Sequence, residues 1–201
     1  MCQAKSRRGM RFRDLSSFNQ ALVEKQGWRI IQVPDSLVAG VMKARYFKHS
    51  SFMEAKTGSY PSFIWRSILW GREVVEKGLR WRIENGEQVK VYQSKWLPRH
   101  DTFKLISPCP PKLYLEIIVS ELINEKHEWN EELIQQHFLR DDAEHITKIP
   151  LPRQPKPDQV VWHYDKKGEY SVKSGYQLAL KMKSLDKASC SEKKQNSWNS
   201  I

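Results

Sequence analysis

The chain has 201 residues, enough for one or two domains, with 39% hydrophobic and 28% charged residues. No apolar run approaches the about 18 residues that a membrane span requires, and no apolar signal-type stretch follows the basic start MCQAKSRRGMRFRD. The net charge of +11 is unevenly placed. Residues 1–110 carry 20 Lys/Arg against 9 Asp/Glu, residues 111–150 carry 4 against 9, and residues 151–201 carry 10 against 5. A basic first half of this kind can bind phosphates by releasing their counterions.

Residues 1–13 place Arg7, Arg8, Arg11 and Arg13 ahead of the first acid, Asp14, and read as a flexible basic arm. An Arg-bearing start without acids is also faintly like an organellar transit peptide. Asp14 or Ser16 can cap a first helix through Leu15, Phe18 and Leu22 to Trp28, with Gly27 weakening its end. A second helix follows Ser36, with an apolar stripe of Leu37, Val38, Val41, Met42 and Tyr46. Aromatic and basic residues interleave at Arg45, Tyr46, Phe47 and Lys48. A base-stacking platform can be built this way, but packing against a neighbouring helix suits Tyr46 and Phe47 better.

The stretch from Tyr60 to Pro98 changes period midway. Ile64, Trp65, Ile68 and Leu69 repeat as a helix after Pro61, and Gly78 falls where a C-terminal cap would. Leu79, Trp81 and Ile83, then Val89 and Val91, alternate around Asn85-Gly86 and predict a β-hairpin. A bulged three-residue loop with Gly86 left-handed would pair Ile83 with Val89 and Trp81 with Val91, forming one apolar face. Arg66, Arg72 and Lys77 form the basic side of the helix before it.

Ser107-Pro108-Cys109-Pro110-Pro111 reads as a boundary. Ile117 to Ile123 then suggests a short helix. Asn130 caps the next, with Trp129 and Ile134 as a hydrophobic staple, and Asp141 with Glu144 suggests a capping box on a third. The prolines at 150, 152, 155 and 157 form a stiff linker, Val160–Val172 a second hairpin around Lys166-Lys167-Gly168, and Tyr176, Ala179 and Leu180 a closing helix. From Ser184 the chain becomes polar and Lys/Ser-rich and reads as disordered.

The segments WRSILWGREVVEKGLRWRIENGEQVKVYQSKWLP, WNEELIQQHF, IPLP and VVWHYDKKGEYSVKSGYQLAL, with GMRFRDL near the start, together resemble the region after the polymerase in plant non-LTR (LINE-type) retrotransposon reverse transcriptases. They also resemble related open reading frames of plant mitochondrial genomes, and the likeness covers roughly residues 9–182. It implies a connector between the polymerase thumb and a zinc-binding module, cut short before the CxxC…HxxxxC-like ligands of that module. Two departures matter. Arg11 stands where relatives commonly have a glycine, and Tyr92-Gln93-Ser94-Lys95-Trp96 stands where they read WGDKW, so neither that turn nor that acid is carried over.

The expected architecture is mainly α with small β-hairpins (α+β). It divides into a basic arm (1–13), a helical module ending in a hairpin (14–106), an acidic helical module (112–150), a linker (151–158), a hairpin plus helix (159–183) and a tail (184–201). No catalytic residues are expected. Asp141-Asp142 lacks the aromatic and the strands of a YxDD-type metal turn, and the isolated Cys2, Cys109 and Cys190 show no zinc spacing with the six histidines. No metal, cofactor, membrane or small-molecule substrate is expected. RNA or DNA backbone is the expected partner, met by Arg7, Arg8, Arg11, Arg13, Arg45, Lys48, Arg66 and Arg72 on charge alone. The remainder of a reverse transcriptase is a further expected partner. A remnant without selected activity and a protein-interaction module stay open, as do nuclear, cytoplasmic and mitochondrial locations.

Overall fold

The computed structural model describes residues 14–99, 102–109 and 116–198, and describes side chains as far as residue 185. The fold is mainly α with a small antiparallel sheet. It forms two compact units, residues 1–78 with 170–201, and residues 79–169. Both proline-bearing stretches that read as boundaries lie inside the second unit.

In the first unit, α1 (Leu15–Gln32) begins at Asp14, whose carboxylate accepts the Ser17 amide at 2.8 Å. Lys183 meets the same carboxylate at 2.8 Å, and this hydrogen bond, with those of Ser17, lowers its pKa to about 2. The helix runs past Gly27 because its buried stripe is Ser17, Ala21, Glu24, Gly27 and Trp28 rather than Leu15 and Leu22, which are exposed. Close helix contact explains that choice. A Cβ on Gly71 of α3 (Phe63–Gly78) would stand 2.7 Å from the Glu24 amide nitrogen, so the two backbones nearly touch and only small residues fit beside them.

Glu24 sits at the centre of that contact, fully buried. The Tyr170 hydroxyl lies 2.7 Å from the Ala21 carbonyl and 2.9 Å from Glu24 Oε2, its one proton serving a single acceptor at a time, while Glu24 Oε1 has no partner. Burial raises the Glu24 pKa to about 8, so the carboxyl is mainly protonated at neutral pH. The third helix here, α6 (Val172–Trp198), brings Gly175 against the pair, where a Cβ would clash with the Tyr170 hydroxyl at 1.9 Å. Its backbone stays helical beyond Ser184, where the composition suggested disorder. Lys, Ala, Gln and Glu in that tract all tolerate a helix.

The helix α2 (Leu37–Tyr46) starts at its Ser36 cap as the sequence indicates, yet buries Ala39 alone. Leu37, Val38 and Val41 point outward, and Ile64 on α3 does the same. The core beneath them is Ile30, Ala39, Phe47, Phe52, Ala55, Trp65 and Ile68.

In the second unit, β1 (Leu79–Arg82) does not pair with Val89–Val91. It pairs antiparallel with β2 (Gln159–Trp162), Leu79 opposite Trp162 and Arg82 opposite Gln159. The buried carboxylate of Asp158 explains the difference. It accepts the amides of Glu84, Gly86 and Gln88 at 2.7, 2.9 and 3.0 Å, so the loop closes around it instead of forming a hairpin turn. Gly86 is left-handed as expected (φ +74°), and a Cβ there would meet the Ser120 amide nitrogen at 2.6 Å. Lys90 bridges to Ile118, so Val89 and Val91 enter a core with Ile83, Trp96, Leu97, Val119, Trp129 and Ile134.

The expected helix near Ile117–Ile123 is one 3-10 turn, Val119–Leu122. Next, α4 (Glu131–His137) takes Asn130 as its cap, with Leu133 donating at 3.2 Å. The following helix, α5 (Arg140–Thr147), has Leu139 at its N-cap, so Asp141 does not form the expected capping box. At Gly168 (φ +82°) the chain reverses, and its carbonyl accepts the Trp162 amide at 2.8 Å. No return strand follows, because Tyr170 onward belongs to the first unit.

Candidate nucleic-acid interface

From Ser36 to Arg72 the sequence holds Lys43, Arg45, Lys48, Lys56, Arg66 and Arg72 against the single acid Glu54. All of these cations except Arg72 are exposed. Arg72 is committed to the fold. Its guanidinium donates to the carbonyls of Phe52 and Ala55 at 2.9 and 2.6 Å and lies over the Phe52 ring, which removes it from the surface set. Glu54 is likewise occupied, accepting from Ser51 N and Oγ at 3.2 and 3.0 Å.

The end of α2 and the start of α3 are joined by a built junction at Tyr46 and Ser62. Tyr46 Oη donates to Ser62 Oγ at 3.0 Å and accepts the Ser62 amide at 3.1 Å. Ser62 Oγ also accepts the Trp65 amide at 3.2 Å, so one serine caps α3 and ties down the end of α2. The Tyr46 ring lies flat on Trp65, with centroids 4.5 Å apart and planes within 2°. Phe47 stacks on the same indole at 5.8 Å and is buried, so these two aromatics pack inside rather than form a platform. Around this node stand Arg45, 5.4 Å from the Tyr46 ring centroid, and Arg66, whose amide donates to Ser62 O at 3.1 Å. Tyr60 and Phe63 flank Pro61-Ser62 and are 90% and 76% exposed.

This arrangement offers positive charge and free aromatic faces on a rigid base. Composition and charge singled out Arg45, Lys48 and Arg66, whereas nothing in the sequence pattern singled out Tyr60 and Phe63, because exposure of a ring is set by the packing around it. Arg7, Arg8, Arg11 and Arg13 lie outside the described residues.

In the second unit a cleft of about 670 Å³ is lined by Arg80, Arg82, Ile83, His145, Lys148 and Leu151, among others. Desolvation, then the nearby Arg82 charge, lowers the Arg80 pKa. The Asp141-Asp142 pair is committed to structure. Asp142 is fully buried and accepts from Ile106 N, Ser107 N and Ser107 Oγ at 2.9, 2.6 and 2.6 Å. Arg99 pairs with Asp142 Oδ1 at 2.9 Å and also with Asp141. Among the described residues no group of three or more His, Cys, Asp or Glu could hold a metal ion, and no helix is long and apolar enough to cross a membrane.

No family model matches the chain, and no solved structure matches it significantly. Two proteins of Arabidopsis thaliana are similar to it. An uncharacterized mitochondrial protein is 47% identical over 89 residues, which is 44% of this chain and 58% of that protein. A protein with a provisional ribonuclease H name is 26% identical over 184 residues, which is 89% of this chain and 29% of that protein. The chain thus spans less than two thirds of either relative.

Proposed function

We propose that this chain is a non-catalytic, nucleic-acid-associated segment of a retrotransposon reverse-transcriptase-type protein, and that its basic N-terminal half contacts RNA or DNA backbone. One observation carries the reading: Lys43, Arg45, Lys48, Lys56 and Arg66 are all exposed on one stretch whose lone acid, Glu54, is tied to Ser51. Similarity to the two plant proteins supports the retroelement setting. No part of the reading requires a metal. Asp142, the buried acid of the Asp141-Asp142 pair, holds the 106–107 loop and Arg99 in place.

The test is a salt titration of binding to labelled RNA and DNA by the full chain. Steep loss of affinity with salt and little sequence preference are expected, and salt-insensitive or absent binding would overturn the reading. A second reading has its own observation. Leu37, Val38 and Val41 are 84%, 53% and 56% exposed on α2, a stripe that suits docking against another protein, such as the rest of a polymerase. Substituting these three with serine should leave nucleic-acid affinity unchanged if the stripe serves a protein.

A further inference from the structure

We propose that the α2–α3 junction selects single-stranded nucleic acid, stacking bases on Tyr60 and Phe63 while Arg45, Lys48 and Arg66 hold the phosphates. This rests on the nucleic-acid reading above and assigns its substrate class.

Large aromatic side chains are normally among the most buried groups of a protein, and their exposure is informative when several lie together. Tyr60 and Phe63 are 90% and 76% exposed, whereas Phe47 and Trp65 are buried and Tyr46 and Phe47 both stack on Trp65. Phe63 opens α3, and Tyr60 lies in the connection just ahead of it. They bracket Ser62, which is held by Tyr46 on one side and caps α3 on the other. Arg66 lies three residues after Phe63 on α3, where both are exposed neighbours on one face, and Arg45 stands 5.4 Å from the ring centroid of Tyr46, which bonds Ser62.

That pairing separates single strands from duplexes. In a duplex the base faces are already stacked, and only the cations could engage its phosphates. A single strand can offer both its backbone to the arginines and its base faces to the rings, and stacking accepts any base. A second copy of this chain is disfavoured as the occupant, because it would bring the same cations against Lys43, Arg45, Lys48 and Arg66, which outnumber the exposed acids beside them, Asp35, Glu54 and Glu73.

The experiment measures affinities of the full chain for an oligonucleotide of roughly 12 nucleotides, single-stranded RNA and matched duplex, within the span one small surface covers. Wild type is compared with Tyr60→Ala/Phe63→Ala and with Phe63→Trp, each checked by its thermal melt. The exposure of both rings means that neither change should disturb the core. The expected result is a single-strand preference, a loss of about tenfold or more in single-strand affinity for the double alanine variant, duplex affinity unchanged, and Phe63→Trp at least as tight as wild type. Unchanged single-strand affinity in the double variant, or an equal loss on both substrates, would overturn the stacking proposal while leaving backbone binding intact. Failure of wild type to bind either substrate at low salt would overturn the underlying reading as well. Self-association abolished by Phe63→Ala, or competition by an acidic protein that outranks the oligonucleotide, would assign the face to another occupant and overturn the proposal.

Discussion

Replacing Glu24 with Gln tests the buried junction of the first unit through its pH dependence. The carboxyl is fully buried, and desolvation raises its pKa from 4.5 to about 8. The folded state therefore holds the Glu24 proton more tightly than the unfolded chain does. That contribution is fully present below pH 4.5 and is lost progressively as pH rises to about 8. Each pH unit in that window removes about 1.4 kcal/mol, so the loss is about 3 kcal/mol at pH 7 and approaches about 5 kcal/mol above pH 8. A glutamine keeps a hydrogen-bond partner for the Tyr170 hydroxyl and carries no ionisation. Other groups titrate too, so the quantity to follow is the stability difference between Glu24→Gln and wild type, from urea unfolding at a series of pH values. The difference should grow in favour of the variant from pH 5 to 8 and then level off. A difference independent of pH would refute the reasoning, because Glu24 would then ionise as easily in the fold as in the unfolded chain.

Further tests bear on the close contacts and the buried anchors. Gly71→Ala should destabilise the chain by about 2 kcal/mol, since its Cβ would press on the Glu24 backbone at 2.7 Å. Gly40→Ala should stabilise by about 0.5–1 kcal/mol, since that helical position is open and no atom lies within 4 Å of the new Cβ. Thermal melts of the two variants should shift in opposite directions. Asp158→Ala leaves three amides without their acceptor and should cost about 3 kcal/mol or more in urea unfolding, with Asp158→Asn less severe. Asp142→Ala strands Arg99 beside a partly dismantled loop and should cost about 3–5 kcal/mol by the same assay.

The helices were legible where local chemistry decides. Asp14, Ser36 and Asn130 cap the elements that their side chains suggest, and Gly86 adopts the left-handed conformation that the Asn85-Gly86 signal requires. What stayed hidden depended on partners far along the chain. The alternation of Leu79–Ile83 with Val89–Val91 is genuine, but Asp158 captures the intervening amides and β1 pairs with β2 instead. Periodicity also cannot tell an apolar stripe that is buried from one left outside, so Leu37, Val38, Val41 and Ile64 read as core. Nothing in the sequence pattern marks Glu24 and Ser17 for burial, since only the close approach at Gly71 makes small and protonated residues suitable there. For the site, charge pointed to Arg45, Lys48 and Arg66 but could not reveal that Arg72 is occupied by two backbone carbonyls.

The most direct test of the central claim is the slope of log affinity against log salt for a single-stranded RNA, measured for wild type and for Arg45→Gln/Lys48→Gln/Arg66→Gln. Each phosphate contact on a single strand contributes about 0.7 to that slope. If the three exposed cations of the α2–α3 junction hold the backbone, the variant's slope should be shallower by about 2, with the melt unchanged. An identical slope in the two proteins would show that this face makes no phosphate contact and would contradict the account.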